Sequence, residues 1–281
     1  MSYSTLISAA ELLPQLENPD WVIIDCRFAL ANPTTGAYAY RHGHLPQARY
    51  ADLNQDLSSA VRDYTGRHPL PDFEHLGQIL GNLGVANHTQ VVVYDDVGGA
   101  FAGRLWWLLR TLGHQKVAVL DGGLNYWQRS GLPLTTTLPR IKPRTFRVYI
   151  DTQAWLHASD VQDRMAQQQI RLLDARAAER YRGQVEPIDP VAGHIPGAVN
   201  RPHTTNLAAN GLFLPAKQLL EQFQGLLGAI APENTVHYCG SGVTACHNLL
   251  AMEHAGLKGS KLYAGSWSEW IRNKNRAVAV D

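Results

Sequence analysis

An α/β fold laid down twice in tandem, each copy a mainly parallel sheet flanked by helices, is what the sequence predicts. Three observations carry that prediction. The first is a set of landmarks that recurs in the same order: IIDCR at 23–27 and LLDAR at 172–176, GHLPQA at 43–48 and GHIPGA at 193–198, VVVYD ending at Asp95 and TVHYC ending at Cys239, DGGLNYW at 121–127 and AGSWSEW at 264–270. The offsets are 149, 150, 144 and 143 residues, so one spacing relates four separate anchors and a duplicated domain follows. The second is an alternation of short β-rich runs with longer amphipathic ones, the mark of βαβ crossovers. The third is a proline- and threonine-rich stretch, GLPLTTTLPRIKPRTFRV, near the middle of the 281 residues.

In chain order, WVIID, QVVVYD and KVAVLD are the strands of the first copy, with GRLWWLLRTLG an amphipathic helix ending at a glycine that suits a C-cap. IRLLD, NTVHYC and KLYAG are the strands of the second, and VTACHNLLAMEHAG its helix. Strands joined through helices lie parallel, with both faces of the sheet covered. The expected division is a domain over 1–138, a linker over 139–150 and a second domain over 151–281.

Composition narrows the function classes. Hydrophobic residues at 45% and charged residues at 17% leave apolar material for a core in each half. A formal charge of +1 gives no global field for nucleic acid or an anionic membrane, so neither is expected as a partner. The N-terminal MSYSTLISAAELLP lacks the pattern of a signal peptide, and no run of about 18 apolar residues occurs, so a cytoplasmic protein is expected. Three cysteines are too few and too odd for a disulfide framework, and none pairs with histidines at zinc spacing. Neither metal nor organic cofactor is expected. Trp106, Trp107, Trp127, Trp267 and Trp270 fit packing better than base stacking.

The stretch HYCGSGVTAC at 237–246 holds the chemistry. Cys239 ends a strand, where open α/β sheets bind ligands, and the helix resumes around Val243 or Thr244. Gly240 and Gly242 let successive N–H groups point inward as an anion-binding nest, to which the helix start adds its partial positive charge. A thiol in such a nest ionises below its usual range and becomes a nucleophile. Cys26, replaced by Ala175 in the second copy, and Cys246, inside the helix, are read as core residues. Asp95 stands at the matching strand end of the first copy, which leaves that position without a thiol and that copy catalytically inactive.

On these motifs the chain resembles the tandem rhodanese sulfurtransferases, whose first domain is inactive and whose second carries the cysteine. CGSGVTA is similar to the active-site loop of the 3-mercaptopyruvate sulfurtransferase branch, and GHIPGA and AGSWSEW to the family's end-of-domain signatures. The resemblance implies that Cys239 takes sulfur from a small anionic donor, holds it as a persulfide and passes it to a thiol, cyanide or a thioredoxin-like acceptor. Donors from the N–H groups of Gly240, Ser241, Gly242, Val243 and Thr244, with the Ser241 and Thr244 hydroxyls, would stabilise the charged outer sulfur. The donor implied is 3-mercaptopyruvate, the alternative thiosulfate.

The resemblance also implies that Arg180, in AAERYRG, binds the donor's carboxylate or sulfonate end, with Asp174 near the site to orient it or merely to cap a strand. Arg182 is read as a surface residue. A second arginine, which the branch carries in a segment like EPR, is absent here: GQVEPIDPVAGHIPG has Ile188 after Pro187, leaving Arg201 or a first-domain residue to compensate. A proton relay of His44 with Ser241 is implied as well, against the reading that His44 pins a turn as His194 does in the second copy. His42 and His68 are read as surface residues. Two other classes stay in view. A phosphatase needs an arginine closing the loop, where Ala245 stands, and a noncatalytic binding module would not need the cysteine and its nest. A monomer is expected, since the duplication already forms a pseudo-dimer.

Overall fold

Short strands build two separate sheets, described here from a computed structural model covering residues 2–281. The chain forms two compact units, one of 1–59, 70–151 and 209–213, the other of 60–69, 152–208 and 214–281.

In the first unit β1 (Leu6–Ile7) leads into α1 (Ala9–Leu12), whose start is closed by a Ser8–Glu11 capping box. Then follow β2 (Trp21–Asp25), α2 (Thr35–His42), β3 (Arg49–Tyr50), α3 (Phe73–Asn82), β4 (Gln90–Tyr94), α4 (Ala102–Thr111), β5 (Val117–Leu120) and α5 (Gly123–Arg129). The strands lie in the order β1-β5-β4-β2-β3, all parallel, with Ile23 opposite Val92 and Val92 opposite Ala118. Every residue of β4 is buried, as a strand covered on both faces requires. Ile23, Val92, Tyr94, Leu120 and Trp127 share one core cluster.

The second unit repeats the plan with β6 (Trp155–Leu156), α6 (Ala158–Ala166), β7 (Arg171–Asp174), α7 (Ala178–Tyr181), β8 (Val199–Asn200), α8 (Ala216–Leu227), β9 (Thr235–Tyr238), α9 (Ala245–His254), β10 (Lys261–Tyr263) and α10 (Ser266–Trp270). Its order, β6-β10-β9-β7-β8, is the same permutation and again parallel throughout. The two sheets are thus the duplicated α/β domains that the landmarks predict. The five tryptophans expected in packing are all buried. No helix among the described residues is long and apolar enough to cross a membrane.

The units depart from the expected boundaries in two ways. Residues 139–150 are not a free linker but pack on the first unit: Arg144 donates its N–H to the Gly81 carbonyl at 2.9 Å, Asn87 bonds the backbone of Arg147, and Phe146 is buried. Gly81 makes the close approach possible, since a Cβ there would stand 2.5 Å from the Arg144 carbonyl oxygen. Residues 60–69, expected in the first domain, belong to the second unit. Gly66 rests on the Gly265 carbonyl, which a Cβ would approach to 2.5 Å, and Arg67 donates its N–H to Ser268 Oγ at 3.1 Å.

Candidate active site

Cys239 directly follows β9, and its backbone is tied to the β10–α10 turn. Its N–H donates to Ser266 Oγ at 3.1 Å, and its carbonyl accepts from the Trp267 N–H at 3.0 Å. Ser266 holds a left-handed φ of 55° there, an uncommon backbone state that costs of order 1–3 kcal/mol and persists only where surrounding bonds fix it. Gly242, at φ 74°, is a glycine by necessity, because a Cβ would fall 2.2 Å from the Ala264 carbonyl oxygen. Among the described residues the N–H groups of Gly240, Ser241, Val243 and Thr244 donate to no protein acceptor. Ser241 and Val243 are buried beside the thiol, and Thr244 is half-exposed.

The first unit shows what such a loop binds. Asp95, at the end of β4, folds its carboxylate back into its own loop and accepts four backbone N–H groups: Val97 and Gly99 on Oδ1 at 2.9 and 2.8 Å, Phe101 and Ala102 on Oδ2 at 2.8 Å each. A built-in anion fills this nest. In the second unit a cysteine, one heavy atom beyond Cβ, cannot reach the amides in the same way, and among the described residues those of Gly240, Ser241, Val243 and Thr244 keep no protein acceptor. The other two thiols serve packing. Burial and the carboxylates of Asp25, Asp95 and Asp56 push the Cys26 thiol well up, and Cys246 is fully buried with Sγ 3.4 Å from the Gly242 carbonyl oxygen.

The histidine beside this loop is His68, not His44. His68 Nδ1 lies 2.7 Å from Ser241 Oγ, and the ring is 4% exposed, which corrects its reading as a surface residue. His44 instead has both ring nitrogens on backbone carbonyls of the first unit, Tyr40 at 2.6 Å and Thr137 at 3.2 Å, and stacks on Tyr40. His194 does the same in its copy, with Nδ1 2.8 Å from the Tyr181 carbonyl and its ring stacked on Tyr181. The same contact to a carbonyl and the same stacking on a tyrosine thus recur in both copies.

Asp174, read as orienting Arg180 or capping a strand, sits at the end of β7 on Arg176 and not on Arg180. It is fully buried and spent on Arg176, accepting its N–H at 2.9 Å and its guanidinium at 2.6 Å, and so has no surface for a donor. Asp25 and Arg27 form the same pair in the first unit, at 2.9 and 2.6 Å. The pair is a strand-end brace of the fold. Burial would lower the Arg176 pKa, but the Asp174 charge and its hydrogen bonds outweigh burial and raise it.

Arg180 lies beside the loop at Gly240. Its guanidinium forks onto Glu186, with the shortest bond at 2.7 Å, and reaches Asp189 at 3.2 Å. Burial alone would raise the Glu186 pKa, yet the Arg180 fork and the Asp189 and Ile188 N–H groups bring it below the usual range. Arg201 is not a compensating clamp: it is bound to Asn206 and Gln222 and lies over Phe223. The second guanidinium is Arg67, paired with Asp189. A Cβ on Gly240 would stand 2.7 Å from Arg67 Nη2 and 3.6 Å from Arg180 Nη2, so the glycine next to Cys239 is what lets two cations reach the loop.

Sequence reasoning missed Arg67, His68, Glu186 and Asp189. The signal was TGRHPLP, a cation and an imidazole between a glycine and two prolines, inside a stretch without helical or strand period.

A rhodanese-like domain signature matches residues 8–130 and again 157–273. A probable 3-mercaptopyruvate sulfurtransferase of Pseudomonas aeruginosa is 49% identical over 282 aligned positions, covering 100% of this chain and 99% of that one. A putative thiosulfate sulfurtransferase of Mycobacterium tuberculosis is 38% identical over 97% of this chain and 96% of its own. Among solved structures, the 3-mercaptopyruvate sulfurtransferase of Leishmania major superposes with a TM-score of 0.84 at 30% identity, over 95% of this chain and 74% of that one. Two signatures in tandem, full-length relatives and the two equal sheets agree: the chain belongs to the rhodanese-like family, with two copies of the domain in one polypeptide.

Proposed function

We propose that the protein is a sulfurtransferase that moves sulfur from 3-mercaptopyruvate to a thiol or cyanide through a persulfide on Cys239. The observation that carries this reading is the loop after β9, where one cysteine, amides without protein acceptors, and a serine bonded to a buried histidine meet. The full-length relative named for 3-mercaptopyruvate supports the choice of donor.

The chemistry follows from these groups. The Cys239 thiolate attacks the donor's sulfur, the S–S bond forms, and the carbon–sulfur bond breaks with its electron pair going to carbon as the enolate of pyruvate. His68, acting through the Ser241 hydroxyl, delivers the proton that turns the enolate into pyruvate, and recovers one from the acidic S–H of the new persulfide. General acid catalysis of this kind is worth about 10²–10⁴ in rate. The loop amides take the negative charge of the outer sulfur, as their counterparts take the Asp95 carboxylate. Cyanide or a thiolate then attacks that outer sulfur and releases Cys239 as the thiolate. Arg180 holds the donor's carboxylate. Three cysteines outside any disulfide suit the reducing cytoplasm in which such a cycle runs.

The test is turnover. With 3-mercaptopyruvate and cyanide the protein forms pyruvate and thiocyanate in equal amounts, and Cys239→Ser forms neither. A wild-type protein inert toward both 3-mercaptopyruvate and thiosulfate contradicts the reading and favours a binding module.

A further inference from the structure

Six charged side chains stand in a row behind the Cys239 loop, and they cancel. Arg176, Arg180 and Arg67 carry three positive charges, and Asp174, Glu186 and Asp189 three negative ones, each within ion-pair distance of a partner. Asp189 is the bridge at the outer end. Its Oδ1 takes Arg67 Nη1 and its Oδ2 takes Arg180 Nη2, while the carboxylate itself is only 4% exposed. The guanidiniums keep donors in hand. Among the described residues Arg67 Nη2 has no acceptor and lies against Gly240, and Arg67 Nε is buried without a partner.

We propose that Arg67 is a second binding group for the donor's anionic end and that Asp189, by neutralising one charge of the Arg67–Arg180 pair, tunes the site to a monoanionic 2-oxo carboxylate over a dianionic thiosulfonate. The proposal rests on the sulfurtransferase reading and concerns the charge of its donor. A carboxylate brings one negative charge to a site that is neutral with Asp189 present, whereas thiosulfate brings two. Neither anion meets an uncompensated cation, and because each unmatched charge in a buried site is costly, the dianion is penalised more. Removing the Asp189 charge leaves one cation over and should help the dianion more. Removing the Arg67 charge leaves one anion over and should hurt the dianion more. Asp189 also holds the segment that carries the relay, because Arg67 precedes His68 and is fixed at its backbone by Ser268. A merely structural latch, however, moves both donors together.

The experiment compares kcat/KM for 3-mercaptopyruvate and for thiosulfate in wild type, Asp189→Asn, Arg67→Met and Arg67→Lys, with thermal midpoints recorded for each. Asp189→Asn is expected to lower the mercaptopyruvate-to-thiosulfate ratio about tenfold, Arg67→Met to raise it by a similar factor, and Arg67→Lys to leave it within about threefold. Calorimetric titration of the same proteins with pyruvate and sulfate, unreactive anions of one and two charges, reads the clamp without turnover and is expected to follow the same signs. Equal losses for both donors and both anions, or shifts of the same sign in Asp189→Asn and Arg67→Met, overturn the proposal. Should Asp189→Asn fail to fold, the Arg67 pair decides alone. A wild type that turns over neither donor defeats the functional reading, while the anion titrations still decide the clamp.

Discussion

At the scale of single residues, the proton path proposed through His68 separates this site from a simple cysteine in a nest. The 2.7 Å contact between His68 and Ser241 Oγ puts a titratable group one hydroxyl away from the loop that bears Cys239. His68→Gln is expected to slow pyruvate release from 3-mercaptopyruvate by about 100-fold, with a much smaller change in KM, in stopped-flow single turnovers. An unchanged rate would remove His68 from the mechanism. Cys239, Ser241, the loop glycines and Arg180 were legible in the sequence because a strand end, glycines and a helix start constrain one another over a few positions. His68 was not. It lies 173 residues from Ser241 and follows no periodicity, so only the tertiary structure brings the two together.

At the scale of elements, two copies of one turn have diverged in what fills them. The Asp95 carboxylate holds the first turn shut with four amides, and Asp95→Ala strands those donors in a buried site. Denaturant unfolding of that variant is expected to show a loss of about 3 kcal/mol, and a loss below about 0.5 kcal/mol would deny the nest its structural role. The segment 60–69 is the second element of consequence. Gly66→Val presses a side chain on the Gly265 carbonyl and should displace Arg67 and His68, cutting activity at least tenfold while far-UV dichroism stays unchanged. Full activity in that variant would mean that the segment does not position the relay. Periodicity could not assign this segment to the second unit, since its residues have no regular structure and their anchors are a glycine contact, a serine hydroxyl and an ion pair. The region 139–150 shows the converse: proline and threonine content suggested a linker, yet backbone bonds to Gly81 and Leu112 fasten it to the first unit.

At the scale of the whole molecule, the duplication was readable because four anchors share a spacing, and the two sheets repeat one strand permutation. Each unit also buries a neutral histidine. Desolvation brings His114 of the first unit down to about 4 and His237 of the second to about 3. An unfolded chain takes up protons on both near pH 6.5, which the folded chain refuses until far lower pH. Stability is therefore full above pH 6.5 and falls as pH drops toward 4, by about 1.4 kcal/mol per pH unit for each histidine. Urea midpoints at pH 7 and pH 5 should show that fall, with His237→Gln flattening it; equal midpoints would contradict the assignment.

On the proposed function, one thiol of three carries the sulfur. Loading the protein with 3-mercaptopyruvate, alkylating it and weighing its peptides reads this directly. One additional sulfur on the peptide holding Cys239, with Cys26 and Cys246 unmodified, is the expected result, and sulfur on either of those two residues, or on none, would contradict it.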